Sequence, residues 1–307
     1  MTAGSGDSIR RPVPELPDVT VLQEAFHAAL AGRSLCDWSA PQSLVVRGTA
    51  AEAMGMSGKK LDEVQRRGKF LTLVLGGDRI TINPMLTGRL GLAAPGTKPF
   101  GRTALVMTFG PRAKGAIAGR QGPQRPSWTR GAAWLPHDDA TVELRYRDST
   151  RMGKVYLLPA GVERPVAGWD AQGPDADDPT LDAVTWRKRI TRHRGELKAL
   201  LKDQTFVAGI GNGYSDEILW AAGLAPFRKR TALAEEEIET LYASTREVMR
   251  RAVDELRRRV PPRFEVEVRD FLKVHRKGGS PCPRCGTALS EISPGGFVTT
   301  WCRVCQP

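Results

Sequence analysis

A chain of 307 residues, 40% of them hydrophobic, is long enough for two domains and a small appended module, each with an ordinary buried core. Its net charge of +12 and pI near 9.8 favour a polyanionic partner, because Lys and Arg that neutralise phosphates release counterions; an anionic membrane surface or plain solubility would suit the same balance. No stretch reaches the roughly 20 apolar residues that span a bilayer, and the polar segment 1–12 has no apolar run of a signal peptide.

The chain is organised around Val13-Pro14-Glu15-Leu16-Pro17-Asp18-Val19. If Pro14 is the first residue of the working protein, its ring nitrogen is a free secondary amine that can attack an electrophilic sugar carbon and form an iminium. Inside the chain the same nitrogen is a tertiary amide without basicity. The expectation is a start at Val13, an internally read GUG codon written as Val, with residues 1–13 outside the mature protein. The alternative is a genuine extension that blocks the amine.

Behind Pro14, Val19, Leu22, Phe26 and Leu30 recur on one face, predicting a helix over residues 18–30 that Gly32 ends. From residue 35 to about 158 the pattern is of short strands: Lys69–Leu75, Arg79–Ile82, Thr103–Phe109 and Ala140–Tyr146, with Gly and Asp at the turns. This argues for an antiparallel sandwich. The long loop 110–139 carries Arg112, Lys114, Arg120, Arg125 and Arg130 together with Trp128 and Trp134; it could touch nucleic acid or be a solvated insertion. Residues 161–180, rich in Pro, Gly and Asp, read as a linker. A basic, helical pattern follows over 181–259.

Of the five cysteines, Cys36 reads as a buried, inert thiol. The other four form Cys282-Pro-Arg-Cys285 and Cys302-Arg-Val-Cys305, a spacing that suits one structural zinc ion in a reducing compartment. Gly209, Gly211 and Gly213 predict a tight turn leading into a helix from about Ser215. Its exposed N–H groups would form a phosphate site.

The Pro-Glu-Leu-Pro-Asp-Val start, the stretch Leu197–Pro226 and the paired cysteine knuckles together resemble the formamidopyrimidine-DNA glycosylase/endonuclease VIII family. The resemblance runs from Pro14 to Pro307, with gaps at 110–139 and 260–270. It implies an α+β chain: an N-terminal helix with an antiparallel β-sandwich over 14–160, the linker 161–180, a helix-two-turn-helix domain over 181–270 and a zinc finger over 271–307. It implies a monomeric bacterial cytoplasmic, nucleoid-associated enzyme of base excision repair acting on damaged double-stranded DNA, with no membrane partner. Such an enzyme flips a damaged base from the stack, forms a Schiff base through Pro14 and cleaves the strand by β,δ-elimination, with no metal or redox cofactor in the chemistry.

By resemblance, Glu15 transfers protons and Lys69, in Gly68-Lys69-Phe70, contacts the phosphate beside the lesion. Leu86 stands where His-Leu-Gly-Met-Ser-Gly carries the methionine that fills the hole left by the extruded base. Arg151 keeps a phosphate-facing arginine, and Met152 replaces a wedging Phe. Lys198 and Asn212 are assigned to the lesion strand and its phosphates. Thr150 and Phe297 stand where the family has arginines that read the orphaned base and grip phosphates. The short 260–270 segment argues against a dedicated 8-oxoguanine cap, whereas Leu16 favours the formamidopyrimidine branch. The rival expectation is a non-catalytic DNA-damage-binding protein of the same fold.

Overall fold

The structure, a computed structural model, describes residues 13–98, 101–112 and 126–307. The expectations for segment 1–12 and for Lys114, Arg120 and Arg125 lie outside the described residues.

Helix α1 (Leu16–Leu30) opens the fold. The carboxylate of Asp18 accepts the Glu15 N–H at 2.8 Å, the reciprocal half of a capping box. One buried face was expected. Instead, Leu16, Val19, Val21, Leu22, Ala25, Phe26, Ala28, Ala29 and Leu30 are all buried, because the helix is wedged between two cores. Leu16 belongs to the helical core, and Val19, Val21, Leu22, Ala25, Phe26, Ala29 and Leu30 belong to the sandwich core.

The sandwich follows as β1 (Arg33–Ser39), β2 (Val46–Arg47), the short helix α2 (Ala50–Gly55), β3 (Glu63–Arg67), β4 (Phe70–Leu75), β5 (Asp78–Asn83), β6 (Arg89–Ala93), β7 (Thr103–Arg112), β8 (Val142–Arg147) and β9 (Lys154–Leu158). One sheet has the order β1-β7-β8-β6 and the other β2-β9-β5-β4-β3. All pairings are antiparallel except the short β2–β9 contact, which is parallel. Alternation in β8, with Val142, Leu144 and Tyr146 buried, sends every second residue into the interior.

Cys36 is exposed, not buried. It lies within the register shift between Leu35 and Asp37 of β1 against β7, and such irregularities redirect side chains out of the alternating pattern. Three residues of the described part of the long loop are anchored inward, while Arg130 is exposed. The Trp128 indole donates to Glu24 at 2.7 Å, Trp134 meets Phe264 edge-on at 5.2 Å, and Arg112 donates to the Ala28, Ala29 and Ala31 carbonyls at 3.0 Å. Trp128, Trp134 and Arg112 are thus core and capping residues, not a nucleic-acid-facing surface.

The linker is pinned to the sandwich. Arg66 pairs with Asp175 and Asp177 at 2.7 Å, and the Gly68 N–H donates to Asp175 at 2.7 Å. Helices α3 (Ala183–Ile190), α4 (Leu197–Lys202), α5 (Asn212–Ala222) and α6 (Glu235–Arg259) make the second core. Helix α6 also spans both cores: Met249 and Ala252 join the helical one, and Val253 and Leu256 join the sandwich. The chain ends in the hairpin β10 (Ser290–Ile292) and β11 (Thr299–Trp301) between the two cysteine knuckles. Among the described residues no helix is long and apolar enough to cross a membrane.

Candidate nucleic-acid interface and catalytic end

The start of α1 is locked onto the turn before α5. The Leu16 N–H donates to the Gly209 carbonyl at 2.9 Å. The Glu15 carboxylate, 3% exposed, accepts the Gly211 N–H, the Gly213 N–H at 2.8 Å and the Tyr214 N–H at 3.4 Å. The glycines are there for this approach. A Cβ on Gly211 would come within 2.5 Å of the Glu15 carboxyl carbon, and one on Gly209, at φ +99°, within 2.5 Å of Leu16. These amides were expected to face a phosphate. They are occupied by a carboxylate of the same chain, which meets the unpaired donors and the positive end of the α5 dipole.

Lys69 sits in the β3–β4 turn, half-buried. Burial pulls its amine below the usual lysine range; Glu15 and Asp18 attract the charged form and Lys202 repels it. A lowered amine pKa of this kind suits a group that exchanges protons. Pro14 is buried at the head of α1.

Lys198 and Asn212 converge on one atom. The Lys198 ammonium and the Asn212 amide each donate to the Val298 carbonyl at 2.8 Å, the residue after Phe297 in the zinc hairpin. Lys198 is only 6% exposed and pairs with Asp216 at 2.6 Å. Burial lowers its pKa, and Asp216 opposes the shift. The other Asp216 oxygen meets His275 Nδ1 at 2.7 Å. Neighbouring Glu217 accepts the N–H groups of Lys273, Val274 and His275 at 2.8–2.9 Å. Asp216, Glu217 and His275 carry no periodicity or spacing signal; their role shows only when the finger is docked on α5. Phe297 is 47% exposed, with the Lys202 ammonium 4.8 Å from its ring.

The four cysteine sulfurs lie within 4.8 Å of one another. Cys282 and Cys305 Sγ are 3.9 Å apart, and Cys285 and Cys302 Sγ are 3.4 Å apart. Four thiolates at about 2.3 Å from a tetrahedral zinc ion would be about 3.8 Å from each other, so Cys282, Cys285, Cys302 and Cys305 are positioned to hold one zinc ion with no open coordination position. The Trp220 indole and the Arg284 and Cys305 N–H groups point at the sulfurs at 3.4–3.5 Å, as outer partners of metal thiolates do.

The remaining expected contacts lie on two loops that cross from one sheet to the other. The 84–88 loop joins β5 to β6 and the 148–153 loop joins β8 to β9. Their ends are paired, Asn83 with Lys154 and Arg89 with Arg147. Thr87 donates to buried Asp148 and meets the Thr150 hydroxyl at 2.7 Å. The Gly153 N–H donates to Asp148 at 2.7 Å. Arg151 and Met152 are exposed at the second loop's tip, and Leu86 is half-buried in the first.

Comparison with known proteins agrees with this geometry. The chain matches the family model described as the formamidopyrimidine-DNA glycosylase N-terminal domain over residues 13–155. It matches that enzyme's H2TH domain over 172–259 and the zinc finger found in FPG and IleRS over 279–307. It is 30% identical to the formamidopyrimidine-DNA glycosylase of Thermomicrobium roseum, with 96% of this chain and 99% of the relative covered. It is 28% identical to that of Symbiobacterium thermophilum, covering 96% and 90%. A solved complex between the LlFpg protein, a THF-DNA and an inhibitor superposes with a TM-score of 0.78 at 25% identity, over 96% of this chain and all of the other. The MutM (Fpg) protein from Thermus thermophilus superposes with a TM-score of 0.72 at 26% identity, over 95% and 98%. The chain belongs to the formamidopyrimidine-DNA glycosylase family.

Proposed function

We propose that the protein is a DNA glycosylase and abasic-site lyase of base excision repair, acting as a monomer on damaged duplex DNA in the bacterial cytoplasm. The observation that carries this reading is the Glu15 carboxylate clamped by the Gly211 and Gly213 amides, which holds the Pro14 end of the chain rigidly against the helix-two-turn-helix. Pre-ordering a nucleophile on a fixed element supplies much of the effective concentration a covalent step needs.

The working chain begins at Pro14. Its amine attacks C1′ of the damaged nucleotide, the C1′–N bond breaks, and the base leaves with a proton. Ring opening gives an iminium that acidifies the C2′ hydrogen. Loss of that proton expels the 3′ phosphate, and a second elimination expels the 5′ phosphate. Water then hydrolyses the imine and restores the amine. Glu15 exchanges protons with the opening sugar, and Lys69 meets the adjacent phosphate. Arg151, Lys198 and Asn212 hold the strand, and Leu86 and Met152 occupy the distorted stack. The zinc ion bound by the four cysteines keeps the finger folded and takes no part in these steps. The functional units are the catalytic sandwich 14–160, the linker 161–180, the helical domain 181–270 and the finger 271–307.

A second reading, a damage-binding protein without catalysis, draws support from Thr150 and Phe297, which stand where the family pattern has arginines. Borohydride trapping on duplex DNA with an abasic site separates the two. Protein beginning at Pro14 gives a covalent adduct that Pro14→Gly lowers and the 307-residue form does not give. Tight binding without any adduct overturns the catalytic reading. Equal trapping by both forms moves the nucleophile to a lysine, which Lys69→Ala then tests.

A further inference from the structure

Resting on the DNA-lesion reading above, we infer that Met85 enters the base stack beside Leu86 and Met152 as a further wedge. Three non-glycine residues among those described have positive φ: Met85 at 51°, Arg151 at 56° and Arg276 at 59°. Two of the three occupy the tips of the paired 84–88 and 148–153 loops. An unbranched apolar residue gains nothing locally from the left-handed region, which favours Gly and Asn. Strain of this kind persists where the surroundings enforce it, and it collects at binding sites.

The surroundings here do enforce it. The Met85 N–H donates to Asn83 Oδ1 at 3.2 Å, the Gly88 N–H closes the turn onto the Pro84 carbonyl at 2.9 Å, and Thr87 ties the turn to Asp148 and Thr150. The result is a rigid loop whose Met85 side chain is 38% exposed beside a partner loop whose Met152 is 44% exposed. In the resembling motif the position of Met85 is a glycine, which has no side chain to insert. Two polarizable thioethers next to Arg151 and Lys154 match a DNA step, with apolar tips for the base faces and cations for the flanking phosphates. The ties from Thr87 to Asp148 and Thr150 hold the two loops together, which lets both methionines serve one step.

The test uses Met85→Gly and Met85→Asn in protein beginning at Pro14, with Met152→Gly for comparison. Both Met85 variants accept the left-handed backbone, so each should melt at or above the parent temperature. The probe is a duplex with an abasic analogue and 2-aminopurine beside it. The parent raises the fluorescence as the neighbour unstacks. At saturating protein the Met85 variants should lose most of that rise. Excision from a fully paired lesion duplex should fall about tenfold more than cleavage of an abasic site in a preformed bulge, because only the first must be unstacked. An undiminished rise, or equal losses on both substrates, overturns the wedge while the glycosylase reading stands. A parent that neither prefers the lesion duplex nor raises the fluorescence overturns both.

Discussion

The junction of α1, α5 and the zinc hairpin and the pair of loops at 84–88 and 148–153 are both assigned to DNA by the proposed function, yet they are built on opposite principles. At the junction several donors already have partners within the chain: Glu15 accepts the Gly211 and Gly213 amides, and Lys198 and Asn212 share the Val298 carbonyl. At the loops the Thr87 and Asp148 side chains are spent on holding the backbone, and Met85, Arg151 and Met152 are left exposed at the tips. In the function proposed above, the first region is a fixed frame for chemistry and the second a tool for deforming a partner. Mutations should therefore cost folding at the junction and DNA distortion at the loops.

The largest expected effect is at the zinc knuckles. Cys302 is fully buried, and structural zinc contributes on the order of 10–16 kcal/mol to the folding of such modules. Strong chelation or Cys302→Ser should release one zinc per chain, melt the 271–307 segment as its own transition and abolish tight DNA binding. Metal analysis beside a thermal melt checks this; a zinc-free protein with an unchanged melt would contradict it.

Next comes the buried pair on α5. Lys198→Met leaves Asp216 charged and enclosed, with only His275 and backbone opposite it. Breaking one side of a buried pair costs about 3–5 kcal/mol. Arg151→Met, at an exposed loop tip, should cost under about 0.5 kcal/mol in stability while weakening DNA affinity in a salt-dependent way. Equal losses of stability for the two variants would erase the contrast between the regions.

Glu15→Gln keeps the shape but replaces a charge-assisted acceptor with a neutral one and turns an N–H pair toward amides that are themselves donors. Hydrogen bonds to a charged group contribute about 1.5–3 kcal/mol, so a loss of that size is expected, together with loss of adduct formation. Denaturant unfolding and trapping on the same preparation separate the two effects. Full trapping by this variant would remove the proton-transfer role from Glu15.

Much of this frame was legible in the sequence, because it rests on spacings that admit few structures. Cys-x-x-Cys pairs, the Gly209–Gly213 turn and the helix behind Pro14 each follow from a local rule. The occupant of the turn was not legible. A glycine pattern fixes a close approach, but it does not say whether a phosphate or the chain's own Glu15 makes it. Nor could periodicity show that Trp128, Trp134 and Arg112 point inward, since a loop has no repeating face. The strain at Met85 was hidden for a related reason. Its positive φ follows from the Pro84–Gly88 closure and the Thr87–Asp148 tie, and Asp148 is distant in sequence.

The smallest expected effect concerns the residues that connect the two regions. Glu267 pairs with Arg89, which follows the 84–88 loop, and with Arg269, whose guanidinium also binds Asp18 at the start of α1. Burial pushes the Glu267 carboxyl up from its ordinary 4.5 to about 7, against the pull of Arg269 and Arg89. A folded value above the unfolded one means that this group's contribution to stability is fully present below about 4.5 and is lost as pH rises through about 7. Glu267→Gln does not titrate in that window. Its melting temperature should therefore gain on the parent between about pH 5 and about pH 8, by about 2–4 °C for each 1 kcal/mol of difference. Paired melts at the two pH values measure it. A gap that shrinks toward high pH would show that the two arginines keep Glu267 charged throughout. The link between the wedge loop and the catalytic end would then be a permanent ion network, indifferent to pH.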